Sequence, residues 1–303
     1  MFVRILTPTT EYTQPLCLAL GFFDCVHIGH QALLAEVKRQ ADKCGAQPCA
    51  VTFASNPYAV LQTGGQLLFT YEERLRLFRE QGMQCLLAWP FTSQSMRLSP
   101  EMFLSQLTNR FSVRGFVCGH DYRFGAQAAG TPEFLQEFAE KIGSMCSILP
   151  PIMQNGERIS STKVREHIAC GRIEEAESLL GHAYFMQGNV CRGRGVGRLY
   201  EFPTANLQVS SDKLLPLRGV YATVTEVDGV RYASVTNVGG KPTFNEMSET
   251  VETMLIDFSG DLYEKNITVT FVRWLRDIRK FASPTELKQQ IYTDAQWRTQ
   301  WKS

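Results

Sequence analysis

No apolar run in the sequence reaches the roughly 18 residues needed to cross a bilayer. The opening stretch MFVRILTPTTEYTQP lacks the continuous apolar segment and small-residue cleavage site of a secretory leader. A cytoplasmic protein with no membrane partner is therefore expected. An excess of charge of one sign is also missing, because 31 basic and 30 acidic residues leave a net charge of +1. A broad basic field for nucleic acid is excluded, and any anion site has to be built locally. None of the nine cysteines stands in a Cys-x-x-Cys pair. Their odd number and mostly apolar surroundings argue for buried free thiols rather than a disulfide framework or zinc site. Low-complexity tracts, a long flexible linker and internal repeats are absent as well. Nothing in the sequence specifies an oligomeric state.

What is present is enough apolar material, 44% of 303 residues, for one large or two ordinary domains. The first part alternates short apolar runs with helix-like stretches. The strand-like segments are LCLALGFF (16–23), CAVTF (49–53), CLLAWPF (85–91), GFVCGH (115–120) and CSILP (146–150). Such βαβα order predicts an open parallel sheet covered on both faces, with ligands at the C-terminal strand ends. After Leu180 the runs become short and β-like, and Asp228-Gly229 is a hairpin signal. A small antiparallel barrel is expected there, closed by a C-terminal helix over 283–301. Ser283, Pro284 and Glu286 read as its N-cap, first helical position and capping-box partner. The boundary is placed near 181–184, giving domains 1–182 and 183–303.

The sharpest local signal is His27-Ile28-Gly29-His30, which follows a buried strand and opens a helix. Bare amides and the helix dipole favour anions there, and imidazoles three apart share a face. They can donate to phosphate oxygens and stabilise charge as a nucleotide's α-phosphorus is attacked. Gly29 leaves room for the ligand to approach the backbone. The competing reading is two ordinary histidines capping a helix. Ile159-Ser160-Ser161-Thr162-Lys163-Val164-Arg165 offers hydroxyls for a second helix start and an arginine one turn in. Further on, Gly193-Arg194-Gly195-Val196-Gly197 can bring backbone amides to phosphates. In Phe202-Pro203-Thr204-Ala205-Asn206, Thr204 and Asn206 offer oxygens to Mg²⁺.

These segments together resemble the prokaryotic bifunctional riboflavin kinase/FMN adenylyltransferase family, from about residue 18 to residue 292. The resemblance implies a Rossmann-like, HIGH-type nucleotidylyltransferase domain followed by a small antiparallel β-barrel riboflavin kinase domain with a C-terminal helix. It implies phosphorylation of riboflavin to FMN, then adenylylation to FAD, with ATP as co-substrate and Mg²⁺ as metal. Gly21-Phe22-Phe23-Asp24-Cys25-Val26-His27-Ile28-Gly29-His30 is similar to the family's GNFDGVHxGH segment, and Gly119-His120-Asp121-Tyr122-Arg123-Phe124-Gly125 to its flavin-side loop. By that resemblance His27, His30 and Arg165 are catalytic at the first site. Gly21, Phe22, Gly29, Ser161 and Thr162 bind ATP there, Asp121 lies near the flavin or adenine pocket, and Asn56 lies near the flavin. In the barrel, Gly193, Gly195 and Gly197 hold phosphate, Thr204 and Asn206 hold the metal, and Glu252 is the general base. The same resemblance covers Gly219-Val220-Tyr221, Thr236-Asn237-Val238-Gly239 and Lys241-Pro242-Thr243-Phe244.

Four positions depart from the family pattern: Phe22 stands for Asn, Cys25 for Gly, Asn56 for His, and Glu201 for a small residue. These departures keep two alternatives in view. One is a relative with a single working site; the other is a flavin-binding regulator without catalysis.

Overall fold

The computed structural model describes residues 3–191, 204–242, 247–279 and 281–297. The chain divides into two compact units, Met1–Ser161 and Thr162–Ser303.

The first unit is a six-stranded, wholly parallel sheet in the order β1-β4-β3-β2-β5-β6. Its strands are β1 (Arg4–Leu6), β2 (Leu16–Leu20), β3 (Gln47–Phe53), β4 (Cys85–Trp89), β5 (Val113–Gly119) and β6 (Met145–Leu149). All five residues of β2 are buried, as a strand covered on both faces requires. The helices are α1 (Ile28–Cys44), α2 (Pro57–Val60), α3 (Tyr71–Glu80), α4 (Pro100–Arg110) and α5 (Pro132–Lys141). Each start is encoded locally. Thr70 and Glu73 exchange the two bonds of a capping box on α3. Ser99 and Thr131 cap α4 and α5 directly before a proline. A short hairpin, β7 (Met153–Gln154) and β8 (Glu157–Arg158), follows β6.

The strand order puts a topological switch beside β2. The chain runs outward from β2 to β3 and β4, then returns to place β5 on the other flank of β2. The loops after β2 and β5 therefore face each other at the C-terminal edge, where ligands enter such sheets. Those loops carry Gly21–His27 and His120–Gly125.

The second unit opens with α6 (Ser161–Ala169, whose first residue belongs to the first unit) and α7 (Ile173–Leu180). A closed antiparallel barrel follows, in the order β10-β13-β12-β11-β14-β9. Its strands are β9 (Phe185–Cys191), β10 (Thr204–Gln208), β11 (Gly219–Val227), β12 (Val230–Pro242), β13 (Met247–Leu255) and β14 (Asn266–Arg276). Asp228 (φ 51°) and Gly229 (φ 81°) are the two-residue turn between β11 and β12, as their pairing predicts.

Alternation along the strands gives the barrel wall two characters. One set comprises Val220, Ala222, Val224, Ala233, Val235 and Met254, and it packs with Trp297 beyond α8 (Pro284–Ala295). The other set includes five fully buried hydroxyls. Thr223 meets Ser234 (2.8 Å) and Thr236 (2.7 Å), Thr225 meets Ser234 (2.7 Å) and Thr253 (3.3 Å), and Thr236 meets Thr253 (2.9 Å). These contacts form a closed circuit, so no member is left unpartnered despite complete burial.

The C-terminal helix shows one correction. Ser283 Oγ accepts from Glu286 N (3.2 Å), as an N-cap should, but the Glu286 carboxylate accepts from Ala282 N (3.0 Å) rather than from Ser283 N. The expected capping box is thus displaced by one residue. The edge strand β1 and the β7–β8 hairpin lie outside the expected elements; both are too short to show a period.

Candidate active sites

The loop after β2 is built on strained backbone. Phe23 (φ 54°) and Val26 (φ 46°) both occupy the left-handed region, which for a β-branched residue is an outlier. Beneath the loop lies Arg74 of α3, with no exposed surface. Its guanidinium donates to Phe22 O (3.1 Å), Thr52 Oγ1 (2.7 Å) and Phe53 O (2.6 Å), and Thr52 Oγ1 donates to Phe22 O (2.7 Å). One cation thus staples the end of β3 to the loop after β2. Burial pushes its pKa down to about 10, opposed by Asp24, so it stays charged near neutral pH. Asp24 Oδ1 in turn accepts from Leu68 N (3.1 Å). Phe22 lies with its ring 5.0 Å from the Arg74 guanidinium and 5.9 and 6.0 Å from the Phe53 and Tyr58 rings. An aromatic ring here cushions the buried cation, which an amide would not do.

His27 is the N-cap of α1: its Nδ1 accepts from His30 N at 3.1 Å. A neutral His27 therefore carries its proton on Nε2. The capping reading holds for His27, which is buried, and it fixes which nitrogen can donate to a ligand. His30 stacks on His27 with ring centroids 3.7 Å apart and planes 3° from parallel. Burial first, then the neighbouring His27, hold the His30 pKa well below 6.5, so this imidazole is neutral at pH 7. Gly29 also has a local reason: a Cβ there would meet His27 Cε1 at 3.0 Å, so the glycine makes room for the capping ring.

The other expected residues of this unit have definite places. Cys25 is buried, with Sγ 3.4 Å from Ser161 Oγ at the first position of α6. Gly21 lies at the end of β2, where a Cβ would meet the Phe23 ring at 3.0 Å. Asn56 is buried and caps α2, its Oδ1 accepting from Tyr58 N (3.0 Å). Asp121 is exposed and pairs with Arg158 of the β7–β8 hairpin. Burial raises its pKa, but the Arg158 bond and charge outweigh this and leave it below the usual carboxylate value. In the second unit Thr162 is exposed and Arg165 is half-buried, both on α6.

In the barrel, Thr204 and Asn206 are alternate residues of β10 and share a face. Register places Asn206 opposite Glu252 of β13, and Glu252 opposite Asn237 of β12. Three polar side chains thus form a row across adjacent strands. A cavity of about 220 Å³ opens beside them, lined by Thr204, Asn237, Glu252, Met254, Arg276 and Ile291 among others. Asn237 Oδ1 is buried without a hydrogen-bond partner, an acceptor waiting for a donor or cation. Helix α8 forms the far wall. It is docked by Arg276, whose Nε and Nη2 reach Asp294 at 3.1 and 2.7 Å, and by Trp297 Nε1 donating to Ser234 O (3.0 Å). Gly193, Gly195, Gly197 and Glu201 lie outside the described residues.

Sequence reasoning missed Arg74 and Asp294 and gave Asn237 no role. Arg74, Leu77 and Phe78 form an i, i+3, i+4 stripe on α3, and all three are buried. An arginine on an apolar stripe was the available signal.

The parallel α/β unit with its strand-end loops and the barrel with a largely apolar cavity edged by Thr204, Asn237 and Glu252 fit a two-module enzyme. Comparison with known proteins makes this particular. The FAD synthetase family model matches residues 9–163, and the riboflavin kinase family model matches residues 180–302. The chain is 32% identical over 286 residues to the bifunctional riboflavin kinase/FMN adenylyltransferase of Bacillus subtilis (strain 168), covering 92% of this chain and 90% of the relative. It is 34% identical over 283 residues to the same-named protein of Escherichia coli (strain K12), covering 91% and 90%. A solved structure described as a macrolide-efflux protein from Streptococcus pneumoniae superposes with a TM-score of 0.89 at 28% identity, over 98% of this chain and 99% of that one. Among the described residues of this chain, no helix is long and apolar enough to cross a membrane. The chain belongs to the bifunctional riboflavin kinase/FMN adenylyltransferase family, and it is an enzyme.

Proposed function

We propose that the barrel module transfers the γ-phosphoryl group of ATP to the riboflavin 5′-hydroxyl, giving FMN and ADP. The α/β module then joins FMN to the α-phosphorus of a second ATP, giving FAD and pyrophosphate. The observation that carries this reading is the match of both family models, in order, to the two modules. We keep the functional boundary at 182/183, near the end of α7 at Leu180 and the start of the riboflavin kinase match at residue 180, whereas the compact units divide after Ser161.

At the kinase site Glu252 takes the hydroxyl proton as the oxygen attacks phosphorus. Thr204 and Asn206 are the proposed Mg²⁺ ligands. An all-oxygen row containing the orphaned Asn237 Oδ1 suits that hard ion, which would neutralise the triphosphate charge. The Gly193, Gly195 and Gly197 amides would hold phosphate.

At the adenylylation site the attacking FMN phosphate needs no base. The residues there align and neutralise. His27 donates from Nε2, and His30 takes up positive character once a polyanion lies beside it. The amides around Gly21, Phe22 and Gly29 receive phosphate oxygens. Ser161, Thr162 and Arg165 are assigned the pyrophosphate end by resemblance, and Asp121 and Asn56 the flavin side. Riboflavin, FMN and ATP are the proposed partners, in the cytoplasm, with neither nucleic acid nor membrane. The nine free cysteines suit that reducing compartment.

The test incubates the purified chain with riboflavin, ATP and Mg²⁺ and separates the flavins by chromatography. FMN followed by FAD is expected, and the absence of both refutes the reading. His30→Ala should stop FAD while sparing FMN. Rapid conversion of supplied FMN to FAD rules out a dead adenylylation site.

A further inference from the structure

Cys25 is a metal-binding side chain beside the start of α1 to which adenylyl transfer assigns no role. Among the described residues, Cys25, His27 and His30 each offer a ligand atom within 4.8 Å of the other two. The sulfur is wholly buried with Ser161 Oγ at 3.4 Å, His27 is buried and His30 is half-buried. His30 Nδ1 is buried and has no hydrogen-bond partner.

We propose that Cys25, His27 and His30 form a binding site for one divalent transition-metal ion of the Zn²⁺ class, with a fourth position open to water or a phosphoryl oxygen. One thiolate and two imidazoles suit a borderline-soft ion and are poor ligands for Mg²⁺. With bonds of about 2.3 Å to sulfur and 2.0–2.1 Å to nitrogen, tetrahedral donors lie roughly 3.3–3.6 Å apart. The present cluster therefore closes by about an ångström. The stacked imidazoles must fan apart, and His27 exchanges its capping bond for a metal bond. The Cys25 S–H bond is replaced by an S–metal bond, and the proton passes to solvent.

The ion occupies the same imidazoles that serve the triphosphate. It would suppress adenylylation and leave phosphorylation running, so the product shifts from FAD to FMN. That consequence rests on the reading above; metal binding does not.

The binding test uses the full chain with the exposed thiols removed by Cys170→Ser and Cys191→Ser, and Co²⁺ as probe. A thiolate-to-cobalt charge-transfer band saturating at one equivalent is expected, displaced by Zn²⁺ and lost in Cys25→Ser. No band, or a band that survives Cys25→Ser, overturns the site. If that variant does not fold, the chain retaining Cys25 still decides, since a cobalt spectrum without a sulfur band overturns the proposal. In the activity arm, Zn²⁺ is titrated against excess Mg²⁺. FAD formation should be at least about tenfold more sensitive in the chain with Cys25 than in Cys25→Ser. Equal sensitivity overturns the switch. A chain that makes no FAD without Zn²⁺ refutes the adenylylation reading, and the cobalt arm still decides the site.

Discussion

The two modules hold their chemistry in opposite ways. In the α/β unit the candidate groups sit on a loop whose backbone is strained at Phe23 and Val26 and which is stapled from below by one buried guanidinium. In the barrel they sit on strand bodies, where register fixes Asn206, Glu252 and Asn237 as neighbours through many ladder bonds. A loop site concentrates its positioning in a few support residues, whereas a strand site spreads it over the sheet. Damage at a distance should therefore hurt the first site more than the second.

The largest expected effect is direct. Glu252→Gln should lower riboflavin phosphorylation by about 10²–10⁴-fold and leave conversion of supplied FMN intact, measured by the two flavin assays separately. Next, Arg74→Met should remove the staple without touching a substrate group. It strands Phe53 O and leaves Phe22 O and Thr52 Oγ1 with only each other, so a loss of about 1–3 kcal/mol is expected. FAD formation should fall at least about tenfold while FMN formation holds. Equal loss of both activities would break the contrast between the modules. On the barrel side, Asp294→Ala should loosen α8 from Arg276 and raise the riboflavin KM by about tenfold, with kcat little changed.

The smallest effect concerns pH. His30 has a folded pKa well below the 6.5 of the unfolded chain, through burial and its His27 neighbour. The unfolded state therefore binds more protons below pH 6.5, and stability falls as the pH drops under that value. A slope of up to about 1.4 kcal/mol per pH unit is expected, seen as a falling Tm between pH 6.5 and 5. His30→Gln should flatten it.

Much of this was legible in the sequence because it is local. The buried run of β2, the His27-Ile28-Gly29-His30 helix start, the Asp228-Gly229 turn and the Ser283 cap are each written within a few residues. The parallel sheet, the closed barrel and the pairing of two modules followed from alternation and resemblance. What escaped depends on tertiary neighbours. Arg74 reads as one charge among several in Tyr71-Glu72-Glu73-Arg74, and only the fold reveals it under the β2 loop. Asn237 is one residue in a β-run until register sets it opposite Glu252. The Phe22 departure reads as a lost amide, yet its ring lies against the buried cation.

The five-hydroxyl circuit of Thr223, Ser234, Thr225, Thr253 and Thr236 constrains how the barrel can change. Each alcohol can give one proton and take one, so the loop has no free end. Swapping any threonine for its near-isostere valine would strand one proton on one neighbour and one lone pair on the other. Drift towards a greasier lining is therefore blocked one step at a time and open only if all five positions turn over in concert.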